Sequence, residues 1–131
     1  MSIRSRLRGD SAAGQLGAAA AEFAIILPIL VVLVMGIVEF GRAFNTQITL
    51  TGAAREGARV MAIHNDEAAA ETATVSAAAL NPAPTVTVDP APCDRGDEVT
   101  VTATTQFDLF IPFFGGRGLD LQGVGVMRCG G

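Results

Sequence analysis

The sequence predicts an α+β protein: a long N-terminal transmembrane helix continuing into an exported stem, a second short helix, and a small antiparallel β-sheet at the C-terminus. Three observations carry this. An apolar run from Phe23 to Val38 holds sixteen consecutive residues with no charge and no hydrogen-bonding side chain. Asn81-Pro82 closes an Ala-rich stretch. Beyond it the hydrophobic period changes from that of a helix to the alternation of half-buried strands.

Met1 to Leu16 is short and Arg-rich, with Gly9, Ser11 and Gly14, and promises little regular structure; it reads as a leader. A secretory signal fits it poorly. The apolar run is longer than such a signal needs and ends in Glu39-Phe40-Gly41-Arg42 rather than in a small-x-small site. The expected cut therefore lies before the run, at Gly17. Domain limits follow as 1–17 leader, 18–40 transmembrane helix, 41–80 exported stem and second helix, and 81–131 small β domain.

Ala18 to Val38 spans 21 residues, which as a helix is about 31 Å, the thickness of a bilayer's hydrocarbon core. Only a helix satisfies its own backbone in that medium. Glu22 is the anomaly. A carboxylate inside an apolar span costs about 2 to 3 kcal/mol at mid-membrane and less near the headgroups, so it calls for a cationic partner or for a hydrated place in the interface. Pro28 removes one backbone donor and predicts a kink. Gly36 and Gly41 leave room for another backbone to approach.

Charge gives the orientation. All nine basic residues are Arg; up to Gly17 three of them face one acid, and after it six face twelve. The Arg cluster therefore stays cytoplasmic and the acidic bulk is exported, which also argues against nucleic acid as a partner. Cys93 and Cys129 both lie on the exported, oxidising side, where a disulfide is the default and two buried free thiols are the alternative.

From Glu39 to about Ile63 the helix continues outside the bilayer. Phe40, Phe44 and Ile48 recur every four residues as an apolar stripe, with Gly52, Ala53, Ala54, Gly57 and Ala58 as a small-residue patch and Arg55, Glu56 and Arg59 around it. The plainer reading is a helix packed on its own sheet; packing against sister helices is the other. Asn65 or Asp66 caps a second, Ala-rich helix through Leu80. His64, the only histidine, reads as a surface residue at this junction. Strands are expected at Thr85–Val88, Glu98–Thr105 and Leu119–Cys129, the last weakened by Gly123 and Gly125. Phe107 to Gly118 reads as a longer loop holding four of the seven Phe residues, expected to plug the core rather than to form a contact surface.

Chemistry is hard to find. Arg-Gly-Asp occurs at Arg8–Asp10 and Arg95–Asp97, too short a motif to mean adhesion. No nucleophile elbow, phosphate loop, metal-ligand spacing or carboxylate pair is present, so neither an enzyme nor a cofactor is expected.

The constellation at the head of the helix, GAAAAEF at Gly17 to Phe23, resembles a type IV pilin-like precursor and most closely the TadE-like pseudopilins of tight-adherence (Flp) pilus systems. EFGRA at Glu39 to Ala43, AAREGAR at Ala53 to Arg59 and VMRC at Val126 to Cys129 support the resemblance. It implies cleavage after Gly17 by a membrane prepilin peptidase, with Ala18 as the new N-terminus and Phe23 following the key acid. Glu22, then the fifth residue, would aid processing and pair with the N-terminal amine of a neighbouring subunit. Pro28, Gly36, Glu39, Gly41, Arg42, Arg55, Gly57 and Arg59 are the residues expected in assembly and helix packing. The implied partners are other pilin subunits, the peptidase, the assembly platform and the lipid bilayer, and the implied location is the bacterial inner membrane or a pilus at the cell surface. The competing readings are an unprocessed single-pass anchor carrying a small exported binding domain and an exported protein freed by cleavage after Val38.

Overall fold

The structure is a computed structural model that describes residues 7–111 and 115–130. Its elements are α1 (Leu7–His64), α2 (Glu67–Ala78), β1 (Thr85–Asp89), β2 (Glu98–Ile111) and β3 (Gly115–Arg128), and the fold is α+β as the sequence predicts. The chain divides into two units, Met1–Val38 and Glu39–Gly131.

In the first unit the helix already runs at Leu7, so the expectation of an irregular leader is corrected. Leu7, Arg8, Ala12, Ala13 and Leu16 are good helix formers, and they outweigh the glycines between them. The helix also runs on through Pro28. Every side chain from Phe23 to Val31 is exposed, including Ile25 and Ile29 at 67% each.

In the second unit, α2 begins where Asp66 accepts a hydrogen bond from the Ala69 amide at 3.0 Å, so Asp66 is the cap. Asn65 does something else. It takes a left-handed conformation at φ 51°, its amide closes α1 onto the Met61 carbonyl at 2.8 Å, and its side-chain oxygen accepts from the Cys93 amide at 2.8 Å. The second helix stops at Ala78, two residues short of the expected Leu80, with Ala79 left-handed at φ 48°.

The sheet is antiparallel in the order β1-β2-β3. β1 pairs only with Thr100–Thr104 of β2, whereas β2 and β3 pair in unbroken register from Glu98↔Arg128 to Ile111↔Gly115. The expected long loop at Phe107–Gly118 is thus mostly the two arms of a hairpin. Phe107, Leu109 and Ile111 recur at every second position and continue the strand where the phenylalanines suggested a break. Phe107 is buried in the core and Phe110 is exposed, while Phe113 and Phe114 lie outside the described residues. The core joins Leu50, Ala54, Ala58 and Met61 of α1 to Val88, Val99, Val101, Ala103 and Leu121 of the sheet. Cys93 and Cys129 form a disulfide between the turn before β2 and the end of β3.

Candidate functional site

The helix α1 carries the candidate site in two parts. Around Gly17 the backbone is helical and exposed, with Gly17, Ala18, Glu22 and Phe23 all open to the surroundings and nothing within reach of a Cβ placed on Gly17. Ala18 and Glu22 stand one turn apart on the same face, the spacing at which side chains meet. Gly36 and Gly41 likewise have open space where a Cβ would stand.

The second part is the Glu39–His64 half of α1, where the structure sorts the expected assembly residues. Glu39 turns inward and is only 4% exposed. Its carboxylate accepts from the Arg42 guanidinium at 2.7 Å and from the Phe110 amide at 3.4 Å, and Arg42 in turn lies over the Phe107 ring, 5.4 Å from its centroid. Glu39 and Arg42 therefore clasp the far end of the β2–β3 hairpin to the helix. Gly57 is also committed within the chain, since a Cβ there would collide with the Thr74 side chain of α2. Arg55 stays exposed. Arg59 donates to Glu56 at 2.6 and 3.0 Å, which holds the Glu56 carboxyl below its ordinary range and raises Arg59.

Two features escaped the sequence reading. Gly123 and Gly125 do not weaken β3: both are buried against α1, where a Cβ would run into the backbone at Leu50–Thr51 and at Ala54–Arg55 respectively. Glycine is what allows the strand to lie directly on the helix. The signal was present as Leu121, Gly123 and Gly125 on one strand face. The other feature is the stripe. Of the two readings of Phe40, Phe44 and Ile48, packing on the chain's own sheet is corrected: they are 72%, 59% and 58% exposed. The helix face that packs is the one bearing Leu50, Ala53, Ala54, Gly57, Ala58 and Met61.

Among the described residues no group of three or more His, Cys, Asp or Glu could hold a metal, and α1 is the one helix long and apolar enough to cross a membrane. Fold and site together define a class: a single long apolar N-terminal helix joined to a small disulfide-pinned α+β domain. The segment from Gly17 to Arg59 is similar to a known family, matching the family model described as TadE-like protein over residues 17–59. The match opens at the glycine of the expected cut and takes in Glu22, the Phe40 stripe and Arg59. No curated protein and no solved structure matches the chain.

Proposed function

We propose that this chain is a non-enzymatic minor pseudopilin, a subunit that serves assembly of a tight-adherence pilus or a related secretion apparatus. The observation that carries the reading is the TadE-like match beginning at Gly17 and enclosing Glu22. In this account the 18–40 helix lies in the inner membrane with the Arg-rich leader cytoplasmic, and a prepilin peptidase cuts after Gly17. The ammonium released at Ala18 is the missing cation for Glu22. In lipid, pairing the two removes the cost of an uncompensated charge, so subunits settle in the register that brings amine and carboxylate together.

The exposed stripe Phe40–Phe44–Ile48 supports the same reading, because the chain's own sheet leaves it uncovered and a neighbouring helix would cover it. Packing there joins one subunit's stem to the next, and the assembly platform is the expected membrane partner.

N-terminal sequencing of the membrane form tests the proposal. A chain beginning at Ala18 is the expected result. A chain that keeps Met1 in cells with active prepilin peptidase, and whose Glu22→Ala variant assembles normally, would sink it.

A further inference from the structure

The contacts between the β2–β3 hairpin and α1 descend the helix in order. Gly125 lies on the backbone at Ala54 and Gly123 on that at Leu50, the Gln122 carbonyl accepts from the Gln47 side chain, Phe107 lies under Arg42, and the Phe110 amide donates to Glu39. Glu39 is the first residue beyond the uncharged run Phe23–Val38. The closed end of the hairpin therefore stands beside the residue at which the apolar stretch of α1 stops, although Glu39 and Phe110 are 71 positions apart in the chain.

What the hairpin carries there is apolar. Phe107 faces the core, so Phe110, an odd number of residues on, stands on the outer face of the sheet, where it is 66% exposed. Between Asp108 and Asp120 the chain has a single charged residue, Arg117, a cation of the sign that anionic headgroups attract. Phe40, one position past Glu39 on the helix, is exposed as well. The main chain adds a second, independent observation. β1 pairs with β2 only as far as Thr104, so the strand beyond has no ladder partner on that side. Water satisfies such an amide easily, whereas beside hydrocarbon an open N–H is costly. At Phe110 the bond is taken by the carboxylate of Glu39, itself buried, with Arg42 compensating its charge.

We propose that the end of the β2–β3 hairpin, at Phe110 and its partner Gly116, rests in the interface of the same bilayer that α1 crosses, giving the folded domain a second hold on lipid. The inference goes beyond the proposed function and rests on its placement of the 18–40 helix in the membrane. Lipid is the occupant because Glu39 follows the span directly: a group bonded to Glu39 lies at the edge of the hydrocarbon, where an exposed aromatic ring is favoured. Asp108 and Asp120, on the same outer face and farther from the closed end, mark the return of both strands to water.

The test places the full-length chain in vesicles of phosphatidylethanolamine and phosphatidylglycerol and attaches an environment-sensitive fluorophore to one introduced cysteine at a time: Leu30→Cys in the span, Gly116→Cys at the hairpin end, and Val124→Cys farther along the same sheet face. Gly116 has room for a side chain, its nearest neighbour being the Leu109 carbonyl at 4.0 Å. Retention of the Cys93–Cys129 disulfide reports that each variant has folded. With nitroxide lipids in the vesicle, the labels at 30 and 116 are expected to lose at least half of their emission and the label at 124 to keep nearly all of it. Adding Phe110→Asp to the Gly116→Cys chain is expected to halve the quenching at 116 and leave that at 30 unchanged. Quenching at 30 with none at 116 overturns the hairpin contact and leaves the membrane helix standing; shielding of the 116 label from aqueous iodide in that case assigns the hairpin end to a sister subunit instead. Quenching at 116 that Phe110→Asp does not alter also overturns the proposal. Absence of quenching at 30 removes the membrane reading, and this inference with it.

Discussion

The two faces of α1 between Glu39 and His64 invert the usual rule of globular proteins. The buried face is made largely of small residues, Ala53, Ala54, Gly57 and Ala58, with Leu50 and Met61 as its large members. The open face carries Phe40, Phe44 and Ile48. Small residues on the inside let two backbones meet: β3 lies on the helix through Gly123 and Gly125, and α2 through Gly57 and Thr74. The large apolar residues left outside are only partly covered by the chain's own fold, with Phe40 and Phe44 stacked on each other. The difference teaches that the intramolecular contact is built from closeness, while the bulk stays on the exposed face.

Adding volume to the close face is the strongest way to break this arrangement. Gly125→Val forces a branched side chain into the helix backbone at Ala54, and the expected loss is about 3 kcal/mol or more, read as the thermal midpoint of the full chain in detergent. A midpoint within a degree or two of wild type would mean that strand and helix do not meet as described. Next comes the clasp. Glu39→Ala strands the Phe110 amide and frees Arg42, at a cost of about 1 to 3 kcal/mol, and should speed hydrogen exchange at Phe110 well before it affects Val99 or Val101.

On the open face, Phe44→Ala should leave stability within about 0.5 kcal/mol of wild type while weakening co-purification of tagged subunits. A large stability loss there would show that the stripe serves the fold after all. The smallest effect concerns Glu56. Its carboxyl titrates lower when folded because Arg59 donates to it, so the pair's contribution is present above the ordinary carboxylate range and disappears as pH falls through the lowered value. Arg59→Gln should remove that slight acid-side dependence of the midpoint and leave neutral behaviour unchanged; both side chains are open to water, so the change is small.

Much of the molecule was legible in the chain. The apolar run with Glu22 near its start, a cap at Asn65 or Asp66, the stop at Asn81-Pro82 and the Val/Thr alternation are local signals whose physics acts within a few residues. They were enough for the class of fold and for the head of the helix that the TadE-like match then covered, while the choice between a Cys93–Cys129 disulfide and two free thiols was made by the structure. The sorting of the helix faces was not legible. Phe40, Phe44 and Ile48 repeat as cleanly as Leu50, Ala54, Ala58 and Met61, and periodicity alone ranks the bulkier set as core.

Composition and hydrophobic period by themselves determined the long helix, the short helix and the three strands, because backbone propensity and polar pattern act over short distances along the chain. Only the tertiary structure decided that the hairpin runs unbroken past Phe107, that glycines in β3 are seats for a helix, and that Glu39 faces inward to the Phe110 amide. The physical reason is one of partners: whether a glycine is a flaw or a fit, and whether a glutamate is solvated or bonded, depends on atoms tens of residues away that come near only when the sheet closes on the helix.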